Sequence, residues 1–243
     1  MNDVIRLLGS HRSIRKFKPD PIPSEHVRAA VEAGQMASTS SAVQAYCALR
    51  ITDPEKRAAI AELTGPQEKV RTCPEFFVIC GDTRRHRLAA KRDGHEYDAR
   101  LEAFLLAVTD ATLFAEKMVI AFESMGYGIC YIGGLRNNLP EADRVLDIPE
   151  GVYPFYGLCV GAPDQTPTKR PRLPLDAVLF DDAYPGDDRM LSLMSEYDDG
   201  YERYLEERGT EPKRWSEIMA RKFSKPERPE LGPYYRGKGA DFS

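Results

Sequence analysis

The residues His11-Arg12-Ser13-Ile14-Arg15 place an imidazole, a hydroxyl and two guanidinium groups in one short stretch, directly after a brief amphipathic segment. That set is suited to gripping a phosphate. Arg12 and Arg15 can each present a planar fork of donors to phosphate oxygens, and Ser13 with the local backbone N–H groups can add further hydrogen bonds. Taken alone, a basic cluster near an N-terminus reads equally as a solvated surface. A second basic pair, stiffened by prolines, follows much later in Arg170-Pro171-Arg172-Leu173-Pro174. Between them, Tyr131-Ile132-Gly133-Gly134-Leu135-Arg136-Asn137-Asn138 runs a strand-like stretch into two glycines. Such a step fits an ordinary turn, and it also fits a place where a ligand lies against backbone, since a residue without Cβ permits close approach.

The elements that must position these residues can be read from periodicity. Asp3 to Leu8 has the spacing of a short helix running into the basic cluster, and a second helix is predicted from Ser24 as N-cap, ending at the run Ser38-Thr39-Ser40-Ser41. Tyr46 to Thr52, Glu75 to Gly81 and Val152 to Gly161 are rich in aromatic and β-branched residues and predict strands. Leu101 to Met125 carries Leu101, Phe104, Leu105, Val108, Ala111, Thr112, Ala115, Met118, Val119 and Phe122 at spacings of three and four and predicts a long, largely buried central helix. Gly126 and Gly128 end it and lead into a strand at Ile129 to Ile132. This order is the reverse of a dinucleotide-binding fingerprint, and no Lys-Ser or Lys-Thr pair follows to make a phosphate loop. The mixed order of helices and strands predicts an α+β fold. From Ala177 onward acidic residues lead into polar helices near Ser192 to Arg208 and Trp215 to Phe223, and then into a Pro- and Gly-rich tail.

A chain of 243 residues with 42% hydrophobic content can bury a substantial core. The net charge of −4 gives no general attraction to nucleic acid or to an anionic membrane. No apolar run approaches the roughly 20 residues that span a bilayer. Charges at Asp3 and Arg6 stand where a signal peptide would be apolar, so a cytoplasmic protein is expected. The five cysteines are odd in number and lack C-x-x-C spacing, which predicts buried reduced thiols. The four histidines form no metal-binding pattern, so no metal site is expected. The run Arg84 to Arg100 reads as a solvated charged face.

In order and spacing, the basic cluster, the Gly133-Gly134 step and the Arg170-Pro171-Arg172 segment resemble the FMN-dependent nitroreductase family, within it the oxygen-insensitive NADPH nitroreductase and NADPH–flavin oxidoreductase group. Ser38-Thr39-Ser40-Ser41, Thr64-Gly65-Pro66-Gln67 and Gly157-Leu158-Cys159-Val160-Gly161 carry the same resemblance, which extends from about Ile5 to Pro229. It implies a single domain over residues 1–243, with a central, mostly antiparallel sheet flanked by helices. It also implies an intertwined homodimer with a C-terminal helical arm over residues 177–243.

By the same resemblance, FMN is held by His11, Arg12, Ser13, Arg15, Ser38, Thr39, Ser40, Ser41, Gln67, Tyr131, Ile132, Gly133, Gly134, Arg170 and Arg172. The Gly133 N–H would face flavin N5, and the serine-rich turn would reach FMN across the dimer interface. Arg208, Lys213 and Arg214 would bind the 2′-phosphate of NADPH, although that loop also reads as solvated charge. Arg228 would lie over the substrate pocket. No protein group would be catalytic, because the flavin carries the chemistry. The implied activity is ping-pong, two-electron reduction of nitroaromatics, quinones or free flavin. Two other readings stand beside it: a flavin or metal-oxyanion reductase of the same superfamily, and a flavin-binding or redox-sensing protein with little turnover. Two departures from the family pattern bear on the pocket. Arg170 stands for a lysine, and Ala42 stands where relatives carry a phenylalanine.

Overall fold

The structure is a computed structural model that describes residues 2–243. In chain order its elements are α1 (Asp3–Ser10), α2 (Ser24–Gln35), β1 (Tyr46–Arg50), α3 (Pro54–Leu63), α4 (Glu68–Thr72), β2 (Glu75–Asp82), α5 (Arg84–Arg92), α6 (Leu101–Ser124), β3 (Gly128–Ile132), α7 (Leu139–Leu146), β4 (Val152–Gly161), α8 (Asp187–Glu207), α9 (Trp215–Lys222) and α10 (Leu231–Gly237). The chain divides into two units, residues 1–167 with 230–243, and residues 168–229. The excursion therefore starts before the expected position 177, and the last fourteen residues return to the first unit.

In the first unit the strands pair in the order β1-β2-β4-β3, every pair antiparallel, as the mostly antiparallel α+β reading anticipates. One face of the sheet packs on α6, where Tyr46 stacks on Phe114 with ring centroids 4.6 Å apart and Phe77 meets Phe122. Helix α6 buries Ala107, Ala111, Phe114, Ala115, Met118, Val119 and Phe122, of which Ala111, Ala115, Met118, Val119 and Phe122 belong to the stripe its periodicity predicts. Leu101 and Leu105, read from the sequence as part of that stripe, are exposed instead, as is Leu113. On the other face Cys47 lies opposite Cys80 and Cys130 opposite Cys159, so each pair shares one side of the pleat. All five cysteines are free thiols, four of them buried.

Several elements appear where the sequence reading left loops. Helix α3 begins on an Asp53 cap whose side chain accepts from the Glu55 and Lys56 N–H groups, with Pro54 in the first turn. Asn138 caps α7 in the same way. The expected tail forms α10, where Tyr235 is buried with its hydroxyl on the Pro154 carbonyl and Lys238 pairs with Asp143 at 2.8 Å. Ser24 is the first residue of α2, not its cap, which falls on Pro23 and makes no side-chain hydrogen bond. The first part of the Arg84 to Arg100 run forms α5, whose Arg85 and Arg87 are paired with Asp82 and Glu150. Among the described residues no helix is long and apolar enough to cross a membrane.

In the second unit α8 and α9 close on a cluster of Tyr197, Tyr201 and Tyr204 with Leu173, Trp215 and Ile218. The buried Asp198 accepts from the Ser216 N–H at 2.9 Å, capping the start of α9. Trp215 is thereby half-buried, while Phe223 stays exposed.

Candidate active site

The basic cluster is fastened to the edge of β3. The Ile14 N–H donates to the Ile129 carbonyl at 2.8 Å, and Lys18 and Asp164 extend the same tie towards the end of β4. Ile14 itself is buried against Gly128, where a Cβ would stand 2.4 Å from Ile14 Cγ1. Only a glycine allows this contact. Burying Ile14 leaves Arg15 exposed and His11, Arg12 and Ser13 half-buried at the surface.

His11 Nδ1 lies 2.7 Å from a Glu123 carboxylate oxygen at the end of α6. The Arg12 guanidinium donates to the backbone carbonyls of Ser10 at 3.3 Å and Pro167 at 3.4 Å. Neither Arg12 nor Arg15 has a carboxylate partner among the described residues. A third cation joins them. Burial pushes the Cys130 thiol up, and the charges of Arg15 and Lys69 pull against it, so both stand close to β3. Lys69 had no place in the sequence reading. Its position follows from α4, a five-residue helix without a sequence signal of its own.

Strand β3 ends in a 3-10 turn over Gly133–Asn137. A Cβ on Gly134 would lie 2.4 Å from the Thr64 carbonyl oxygen and 2.6 Å from Gln67 Nε2. The Thr64-Gly65-Pro66-Gln67 and Gly133-Gly134 segments are therefore in contact, as a common site requires. Gln67 Nε2 donates to the Thr64 carbonyl at 2.6 Å, which fixes the amide beside the turn. The Ile132 side chain is buried, so this residue offers a ligand only its backbone. Tyr131 is partly exposed, and its hydroxyl donates to Glu116 at 3.1 Å. Burial, and then the Glu116 charge, push this phenol far up. It stays protonated near neutrality.

The serine-rich turn is elsewhere. Ser38, Ser40 and Ser41 are exposed and Thr39 is half-buried, and among the described residues no hydrogen bond joins them to the Gly133–Gln67 group.

In the second unit the Pro171 carbonyl accepts from the Tyr197 hydroxyl at 3.0 Å, which holds the Arg170-Pro171-Arg172 segment on α8. Arg172 turns back on the Arg170 carbonyl at 3.1 Å. Arg208 Nη1 donates to the Tyr204 hydroxyl at 2.7 Å and lies over its ring, with Cζ 5.5 Å from the centroid. Burial works to raise the Tyr204 phenol. Hydrogen bonds and charge from Arg208 and Arg170 outweigh it and hold the phenol below its ordinary value. Two arginines that the sequence reading assigned to different ligands thus meet at one tyrosine. Lys213 pairs with Glu211 at 2.8 Å, and Arg228 with Glu227 at 3.5 Å. Arg214 is exposed at the start of α9.

Residues 8–69 and 62–162 match the nitroreductase family, and residues 170–243 match the nitroreductase family C-terminal domain. The chain belongs to the nitroreductase family. The junction between the two matches falls where the chain passes from its first unit to its second. One relative is the FMN reductase (NADPH) of Bacillus subtilis, 39% identical with 98% of each chain covered. A Cr(VI) reductase of a Pseudomonas species is 37% identical over 97% of this chain and 98% of its own. Among solved structures, a nitroreductase of B. subtilis superposes with a TM-score of 0.95 at 38% identity, covering 98% of this chain and 99% of the other.

The family's flavin can be tested against the first unit. An anionic phosphate is matched by two guanidinium groups that lack carboxylate partners, with Ser13 between them. A ring edge with hydrogen-bonding atoms is matched by the Gln67 amide, which the Gly133-Gly134 turn adjoins. The residues present fit FMN.

Proposed function

We propose that the chain is an FMN-dependent NADPH oxidoreductase that reduces nitroaromatics, quinones or free flavin by two electrons. The observation that carries this reading is the meeting of the Gly133-Gly134 turn with Thr64–Gln67 at one end of β3, the strand whose Ile129 holds the segment that bears Arg12 and Arg15. FMN, when bound, supplies the hydride chemistry.

The residues do the rest. Arg12, Ser13 and Arg15 bind the phosphate, with His11 held at their flank by Glu123. Arg170 and Arg172 add positive charge to the flavin. The Gly133-Gly134 backbone and Gln67 present hydrogen bonds to the ring edge, and Tyr131 borders it with a hydroxyl anchored on Glu116. Ile132 contributes through its backbone. Cations near the ring stabilise the negative charge that reduction brings, in a site arranged before the reaction starts. Arg208, Lys213 and Arg214 select NADPH through its 2′-phosphate, and Arg228 borders the acceptor. Ala42, on the serine-rich turn, leaves room for an acceptor where a phenylalanine would narrow the pocket.

The working unit is a homodimer. Support comes from the exposed Leu105 and Leu113 of α6 and from Met36, whose carbonyl is tied to Lys117 of the same helix. A helix that buries one stripe and exposes leucines on another has a face for a partner. Ser38–Ser41 lies beside this face and reaches the flavin of the other subunit. The proposal keeps the enzyme in the cytoplasm.

Initial-rate kinetics test the reading. With NADPH and a nitroaromatic or quinone varied together, double-reciprocal plots are expected to be parallel, as donor and acceptor bind in turn. Intersecting lines would overturn the ping-pong order, and absence of turnover with every acceptor would favour a flavin-binding protein.

A further inference from the structure

Asp110 stands in the middle of α6 among its buried apolar residues and is only 2% exposed. A carboxylate there is costly unless its hydrogen bonds are made. No cation pairs with it among the described residues. Its Oδ2 accepts from the Thr39 hydroxyl at 2.6 Å and from the Ala45 N–H at 3.0 Å. The Thr39 oxygen in turn accepts from the Gln44 N–H at 2.8 Å. All of these bonds go to one loop, and together they clasp both its ends.

The loop needs clasping. Ser41, Ala42 and Gln44 have φ of 47°, 57° and 51°, three left-handed residues within four positions and no glycine among them. L-residues with side chains adopt this region only when their surroundings impose it. A second tie, 2.7 Å between His86 Nε2 and the Val43 carbonyl, holds the middle. Nothing in the loop's own composition favours this shape, so it depends on the groups that bind it.

We infer that Asp110 is a positioning residue for the reaction, a buried carboxylate that holds the strained Thr39–Ala45 loop so that Ser40 and Ser41 present their hydroxyls to the flavin. This rests on the assignment of Ser38–Ser41 to FMN proposed above. Asp110 does not touch the flavin itself. It acts through the loop.

The test is FMN affinity of the apoprotein, by fluorescence quenching, measured beside thermal stability for four variants. Asp110→Ala removes the acceptor, and Asp110→Asn keeps a carbonyl oxygen without the charge. Met118→Ala opens a cavity at a fully buried position of the same helix without touching the loop, and Ser40→Ala with Ser41→Ala removes the hydroxyls directly. Asp110→Ala is expected to weaken FMN binding about 10- to 100-fold, the range of a lost charge-assisted hydrogen bond. Asp110→Asn should fall between it and the wild type, and it serves as the reporter if Asp110→Ala does not fold. Met118→Ala should lower the melting temperature and leave FMN affinity within about twofold. If the Asp110 variants lose stability but bind FMN as Met118→Ala does, the residue is structural only and the inference fails. If the serine variant weakens FMN and the Asp110 variants do not, the positioning claim alone fails. If the serine variant also leaves affinity unchanged, the loop assignment beneath it has failed.

Discussion

Arg12 and Arg15 beside β3, and Arg208 and Lys213 after α8, are both candidates for phosphate, but they are held differently. The first pair is set by a buried isoleucine and a strand edge, and among the described residues no carboxylate neutralises it. The second pair is already engaged, Arg208 on the Tyr204 hydroxyl and Lys213 on Glu211. A resident phosphate group calls for cations kept in place without competitors. A nucleotide that must leave in every cycle is better served by exposed side chains that exchange one partner for another. On the proposed assignments, this contrast is the one between a cofactor that stays and a donor that visits.

Four experiments would break or sharpen this comparison. The largest effect is expected from Arg12→Ala combined with Arg15→Ala. Loss of two charge-assisted contacts should raise the dissociation constant for FMN by about 100-fold or more, as followed by fluorescence quenching. An unchanged constant would remove the resident phosphate from this cluster.

Gly134→Ala comes next. Its methyl group would press on the Thr64 carbonyl and Gln67. A cost of about 2 kcal/mol is expected, which calorimetry should record as a fall of about 4–8 °C in melting temperature, with weaker flavin retention. A variant as stable as the wild type would mean that the turn is looser than its contacts indicate.

Arg208→Ala with Lys213→Ala should raise KM for NADPH about tenfold and leave that for NADH nearly unchanged. The advantage of NADPH over NADH should shrink with added salt in the wild type. An equal rise for both donors would release these residues from the 2′-phosphate.

The smallest effect concerns the Tyr204 phenol, held down against burial by Arg208 and Arg170. Ultraviolet titration of Arg208→Ala against the wild type should show it titrating at higher pH. Because its folded-state pKa is depressed, the group adds stability above the unfolded tyrosine value near pH 10. That contribution is lost as the pH falls through the folded-state value, and none remains at neutrality. If the titration does not move, Arg208 is not seated on Tyr204 in solution.

The comparison of sequence with structure divides along physical lines. Helix α6 and strand β4 were foreseen because their apolar patterns are long and regular. Helix α3 was missed although Asp53-Pro54-Glu55 is a start signal, and α10 was missed because Gly232, Pro233 and Gly237 oppose a helix that burial of Tyr235 and the Lys238–Asp143 pair sustain. At the candidate site, the basic cluster and the double glycine stood out as residue types and Gln67 only through the family resemblance, and the structure brings the latter two into contact. Lys69 and Tyr204 did not stand out, because their positions depend on tertiary packing that no local pattern carries. Asp110 left one trace, an acid inside an apolar stripe, which gains meaning only beside the left-handed loop it holds.

The central claim is a bound flavin that NADPH reduces. The direct measurement is an anaerobic titration of FMN-reconstituted, desalted protein with NADPH, following absorbance near 450 nm. Bleaching complete at about one equivalent per subunit is the result expected here. A protein that keeps its yellow colour through excess NADPH, or that loses FMN on desalting, would contradict it.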